Sequence, residues 1–303
     1  MAVESFRISQ WVESSRCRAL GDDALKDEDN AAWVMQLESA VRQEWIERIR
    51  WIRLADRLAE NELIDRSSLK FRGFCRDWQH LRDRREVPPG CEYDSVWRAI
   101  ASRWFERRDD GASEDSIAIW NAYLEALRAY HHDRLILERL ADYEDMLANL
   151  AGHFFQILPF LDPKDRSAAR DFGIVDQFYN NLRDLAEDSQ QGICYFPTEI
   201  LERFGVERWE ILQFECFHNP GYFRLIEFWL DEYLPTLRQR AETLLRSPRL
   251  HPSWQILCDW SVGRYHRIER IFRHLRFDYA RFPRVYWAAV RRDLGYWRAR
   301  QLP

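Results

Sequence analysis

From about residue 31 to the end of the chain, apolar residues recur at intervals of three and four with little to interrupt them. Trp33, Leu37, Val41, Trp45 and Ile49 fall on one face of a 3.6-residue repeat. Only 11 Gly and 11 Pro are spread over 303 residues, while Leu, Arg, Glu and Ala dominate, so few positions would stop a helix. This pattern points to an all-α fold. It predicts helices over about 31–61, 66–84, 92–106, 113–137, 138–158, 165–188, 198–204, 207–217, 220–245, 252–276 and 283–300. The breaks, at VPPG, RRDDG, LDPKD and Tyr195-Phe-Pro197, are short, as in a helical bundle. There is no repeat of 20–50 residues and no low-complexity tract, so a single domain over 1–303 is expected, with 1–30 less regular. Asp27-Glu-Asp-Asn30 reads as an acidic cap ahead of the first helix.

Hydrophobic residues make up 46% of the chain and aromatics 15%, which supplies a sizeable core and excludes disorder over most of the length. The formal charge of -5 provides no basic field to recruit nucleic acid. Cys17, Cys75, Cys91, Cys194, Cys216 and Cys258 show no CxxC or zinc spacing, and reduced thiols in a cytoplasmic protein are the plain expectation. No apolar run approaches the roughly 20 residues needed to span a bilayer. Arg291, Arg292, Arg298 and Arg300 offer either a solvated face or a peripheral contact to anionic headgroups. Oligomeric state leaves no trace in the sequence.

Two predicted helices carry polar stripes. Gln177, Asn180, Asp184 and Asp188 follow at intervals of three, four and four, opposite an apolar face of Val175, Phe178, Leu182 and Leu185. Arg53, Asp56 and Glu60 repeat the arrangement beside Ile49, Ile52 and Leu63. Each stripe alone is compatible with a solvated face. Two of them, each with carboxylates one turn and about 6 Å apart, also fit a diphosphate bridged by Mg²⁺, which takes one or two carboxylates and completes its octahedron with phosphate oxygens and water.

Gln-Phe-Tyr-Asn-Asn-Leu-Arg-Asp-Leu-Ala-Glu-Asp (177–188), followed by Gln-Gln-Gly-Ile-Cys-Tyr-Phe-Pro (190–197) and Glu-Ile-Leu-Glu-Arg-Phe-Gly-Val (199–206), resembles the second aspartate-rich signature of squalene and phytoene synthases. Arg-Leu-Ala-Asp-Arg-Leu-Ala-Glu (53–60) is similar to the first, with Arg57 and Glu60 where the family places aspartates. Weaker echoes are Ser15-Arg16, Ala151-Gly152, Tyr265 and Arg284-Val285. The resemblance implies an isoprenoid synthase bundle with a central cavity. It further implies head-to-head coupling of two prenyl diphosphates through a presqualene-type intermediate, to squalene, hydroxysqualene or a carotenoid precursor. By the same resemblance Asp56, Glu60, Asp184 and Asp188 bind Mg²⁺. Arg53, Arg57, Gln177, Asn180, Arg183 and Arg284 bind substrate, and Tyr143 and Tyr265 take catalytic positions. Met146 stands where the family carries Tyr, with Tyr143 one turn earlier as its substitute, and His153-Phe154-Phe155 replaces a small-residue tail. Bulky rings there would shorten or reshape a channel.

The degenerate first signature also allows a non-catalytic member that keeps the fold as an assembly or binding protein. No Gly-rich nicotinamide fingerprint is present, which leaves a final NADPH-dependent reduction open. His131-His132-Asp133 would put adjacent side chains in different directions on a helix, so the histidines are not expected to be ligands, although Asp133 matches an Asp the family carries. Gly21-Asp22-Asp23 reads as a solvated turn.

Overall fold

The computed structural model describes residues 23–65, 67–106, 111–131 and 135–301. Ser15-Arg16, Gly21-Asp22 and His132-Asp133 lie outside the described residues, as do the side chains of Arg298 and Arg300. Regular structure among the described residues is helical. The helices are α1 (Asp23–Ala31), α2 (Ser39–Ile64), α3 (Lys70–Arg84), α4 (Asp94–Trp104), α5 (Gly111–Tyr130), α6 (Leu140–Leu147), α7 (His153–Ile157), α8 (Arg166–Gln190), α9 (Thr198–Phe204), α10 (Arg208–Leu212), α11 (Pro220–Glu227), α12 (Leu234–Leu245), α13 (Pro252–His274) and α14 (Phe282–Gln301). Two of the predicted long helices are rods interrupted by a wider π turn: Ala148–Gly152 joins α6 to α7, and Phe228–Tyr233 joins α11 to α12.

Four boundaries differ from the periodicity. The predicted 31–61 helix starts only at Ser39: Ala32–Gln36 forms a separate 3₁₀ turn, and Leu37 (ψ 151°) and Glu38 (ψ 150°) are extended ahead of α2. The predicted 113–137 helix ends at Tyr130, because Leu137 and Glu138 use their carbonyls to accept from the amides of Thr198 and Glu199 (both 2.9 Å). The predicted 207–217 helix shrinks to Arg208–Leu212, since Phe214 takes a left-handed φ of 60° that stacks its ring on Tyr279. The acidic cap at 27–30 is instead part of α1, and Asp27, Glu28 and Asp29 are buried. Burial of three carboxylates demands cationic partners. Asp27 pairs with Arg53 and Arg57 of α2, and Asp29 pairs with Arg267 of α13 at 2.6 Å and accepts from the Tyr286 hydroxyl of α14.

Helix α8 is the central element, packed on by α6, α7, α12, α13 and α14. Its approach to the Ala148–Gly152 turn requires Gly173: a Cβ there would stand 2.4 Å from the Ala151 carbonyl oxygen. Gly192, at φ 78°, ends the helix, with the Ile193 amide returning to the Asp188 carbonyl at 2.8 Å. One continuous apolar core runs through the bundle. On the α3–α5 side, Trp78, Trp97, Trp104 and Trp120 meet edge-on or stacked, at centroid separations of 6.2–6.4 Å. Each such pair adds about 0.5–1.5 kcal/mol beyond its buried area.

Candidate active site

A cavity of about 240 Å³ opens between α1, α2, the α6–α7 rod, α8 and α13. Along α2 its lining changes character: Trp45 and Ile49 are apolar, and Arg53, Asp56 and Glu60 follow. At 1.5 Å per residue, Glu60 lies about 22 Å along the axis from Trp45, so the cavity has a greasy end and a charged end. Phe154 and Phe155 of α7 and Trp33 add aromatic wall, and the Phe155 ring packs on Phe172 and Trp254. The replacement of a small-residue tail by bulky rings therefore falls on this wall.

The charged end brings both acidic stripes together. Arg53, Asp56, Glu60, Gln177, Asn180, Arg183, Asp184 and Asp188 all line the one cavity. Arg183 donates to Asp184 through two nitrogens, at 2.8 and 2.7 Å. Lys26 of α1 approaches the same carboxylate at 3.3 Å and Glu187 at 3.1 Å. Burial works to raise the Asp184 pKa, but the Arg183 and Lys26 charges outweigh it and hold the carboxyl down to about 2. At Asp188 burial and the Asp184 charge act in the same direction and push its carboxyl well above the usual range. Among the described residues, the Asp188 side chain makes no hydrogen bond or ion pair. Burial would lower the Lys26 pKa, yet Asp184 and Glu187 raise it to about 12.

Other predicted positions lie behind or beside this surface. Arg57 is buried and committed to Asp27, and it does not line the cavity. Tyr265 is buried against the Tyr179 ring and donates to Asp176 Oδ1 at 2.6 Å, so it braces a wall residue from outside. Tyr143 accepts from Asn181 at 3.2 Å and lines a small adjoining cavity shared with Asp188 and Tyr195. Arg284 is exposed on α14 and does not line the cavity, and Arg291 and Arg292 are also exposed.

Several lining residues escaped the spacing argument. Asp176 lies one turn before Asn180 on the same stripe, accepts from it at 3.0 Å, and is gripped by Arg264; extending the i+4 series backwards would have found it. Asn30 accepts from both Arg183 (3.3 Å) and Arg264, which ties α1, α8 and α13 at the cavity rim. His131, which adjacent-residue geometry speaks against as a ligand, contributes one ligand atom that lies within 4.8 Å of one from each of Asp56 and Glu60. The donor set fits divalent cations: seven carboxylates line the cavity against Lys26 and three arginines, and Asp188 is held close to Asp184 without a protein cation of its own.

Among the described residues no helix is long and apolar enough to cross a membrane. The squalene/phytoene synthase family profile matches residues 25–291. A 15-cis-phytoene synthase from Synechococcus elongatus is 27% identical over 135 residues, which cover 35% of this chain and 44% of that protein, so the match spans less than half of the relative's length. The crystal structure of a dehydrosqualene synthase in complex with ligand superposes with a TM-score of 0.65 at 19% identity, over 96% of this chain and 97% of that one, and establishes the fold. With both acidic stripes facing one cavity in that fold and the profile matched over most of the length, the chain belongs to the squalene/phytoene synthase family.

Proposed function

We propose that the protein condenses two prenyl diphosphates head to head, with farnesyl or geranylgeranyl diphosphate as substrate and squalene, hydroxysqualene or a carotenoid precursor as product. One observation carries the reading: Asp56 and Glu60 on α2 and Asp184 and Asp188 on α8 line the same cavity, which continues into an aromatic wall. Asp184 and Asp188, with Asp56 and Glu60 across from them, would hold divalent cations, of which Mg²⁺ suits an all-oxygen set. Bound there, such cations supply positive charge to the leaving diphosphate. Arg53, Arg183 and Lys26 add fixed cations at the same end, where negative charge grows as the allylic C–O bond breaks. Gln177 and Asn180 offer neutral donors along the α8 stripe. Trp33, Trp45 and Phe154 would exclude water and present ring faces to the developing carbocation.

Diphosphate release from farnesyl and geranylgeranyl diphosphates with a divalent cation tests this reading, and silence with both from folded protein overturns it. Mass spectrometry of the products, with and without NADPH, then separates the coupled hydrocarbon from its reduced form. A non-catalytic binding protein is the second reading, favoured by the Lys26 and Arg57 charges in and behind the acidic end. Under it, prenyl diphosphate would bind and return unchanged.

A further inference from the structure

Asp56 and Glu60 stand one turn apart on α2, and His131 is the first residue beyond the last turn of α5, its amide bonded to the Leu127 carbonyl at 3.0 Å. Arg53 takes Asp56 Oδ2 at 2.7 Å, while Oδ1 faces His131 Nε2 at 4.0 Å. The three ligand atoms, all within 4.8 Å of one another, are close enough for small side-chain rotations to bring them onto one ion. Resting on the prenyl diphosphate reading above, we propose that His131 is a metal ligand. The α2 side of the cavity is then a mixed carboxylate–imidazole site that selects Mn²⁺, Fe²⁺ or Co²⁺ over Mg²⁺, while Asp184 and Asp188 keep an all-oxygen set.

Three observations support the assignment. The position where the family's first signature carries a second adjacent carboxylate is Arg57, which pairs with Asp27 and does not itself line the cavity. A third protein donor on this side is supplied by another element: His131 is the group that α5 delivers there. Asp56 and Glu60 bring two negative charges, one of them shared with Arg53, and the carbonyl end of the twenty-residue α5 adds negative potential at the same place. Mg²⁺ gives up water reluctantly and prefers oxygen, whereas later first-row divalent ions accept imidazole nitrogen readily.

The test uses the full chain, stripped of metal and without substrate. Mn²⁺ is titrated in while electron paramagnetic resonance counts the bound ion and its spin echo reports coupling to imidazole nitrogen. The expected wild-type result is a bound Mn²⁺ whose echo carries the nitrogen modulation. His131→Ala should abolish that modulation and weaken Mn²⁺ binding by at least about tenfold, with a change in Mg²⁺ affinity of about twofold or less. His131→Asp should keep Mn²⁺ bound, lose the nitrogen signal and shift preference toward Mg²⁺. Mn²⁺ bound without nitrogen modulation, modulation that survives in His131→Ala, or no Mn²⁺ binding by the wild type overturns the assignment. Diphosphate release assayed with Mg²⁺ and, separately, with Mn²⁺ judges the prenyl reading: release with either ion sustains it whatever becomes of His131, so the two failures are distinguishable.

Discussion

Asp184 and Asp188 lie one turn apart on α8 and carry opposite electrostatic burdens. Asp184 is held down to about 2, so its stabilising contribution is complete above its unfolded pKa of about 3.9 and disappears as the pH falls toward about 2. Asp188, pushed up by burial and by the Asp184 charge, is ionised at a cost in the metal-free protein, and stability falls as the pH rises above about 4. Asp188→Asn removes that cost and leaves no buried cation unpaired. The metal-free variant should therefore melt higher than the wild type at pH 7, with the difference closing as the pH approaches 4, and should lose diphosphate release by about 100-fold or more. A lower melting temperature at pH 7 would show that Asp188 has a stabilising partner. Asp184→Asn is the poorer probe, because it strands the buried Arg183 guanidinium.

Among the elements, the contact of α8 with the Ala148–Gly152 turn sets how closely the α6–α7 rod approaches the helix that carries Gln177 to Asp188. Gly173→Ala puts a methyl 2.4 Å from the Ala151 carbonyl oxygen, and backbone on both sides has little room to yield. The variant should lose about 1–3 kcal/mol in urea unfolding. Gly263→Ala is the control on an exposed face of α13, where a Cβ meets nothing within 4 Å, and it should gain about 0.5–1 kcal/mol from helix propensity. Equal effects at the two sites would remove the argument from close packing.

At the scale of the whole molecule, α1 stitches the chain's beginning to its end. Asp29 is fully buried, pairs with Arg267 on α13 and accepts from Tyr286 on α14, while Asp27 holds Arg53 and Arg57 on α2. Asp29→Asn should cost about 3 kcal/mol, because Arg267 keeps its second partner Asp293 at 3.2 Å but loses its buried one. Hydrogen exchange of the α14 amides is the sharper measurement: their protection should fall more than that of α3 and α4, which lie among the tryptophans. Uniform loss across the bundle would show that α1 is not a local clasp.

Periodicity alone determined the long helices and the stripe from Gln177 to Asp188, because residues on one helix are ordered by the 3.6-residue repeat whatever surrounds them. Asp56 and Glu60 were recoverable for the same reason, and the likeness of 177–206 to a known signature added the family. What no local pattern contained was everything made between distant elements. Helix α1 is short and acidic, and it is buried only because arginines up to 238 positions away neutralise it. His131 joins Asp56 and Glu60 across two helices, and adjacent-residue geometry spoke against it. Arg57, which stood out as an intrusion among carboxylates, is turned to Asp27. Tyr265 and Arg284 were located by resemblance, yet one lies behind the wall and the other on the outer face of α14. Charge pairing of buried groups is a property of proximity in space, and only the packed bundle supplies that proximity.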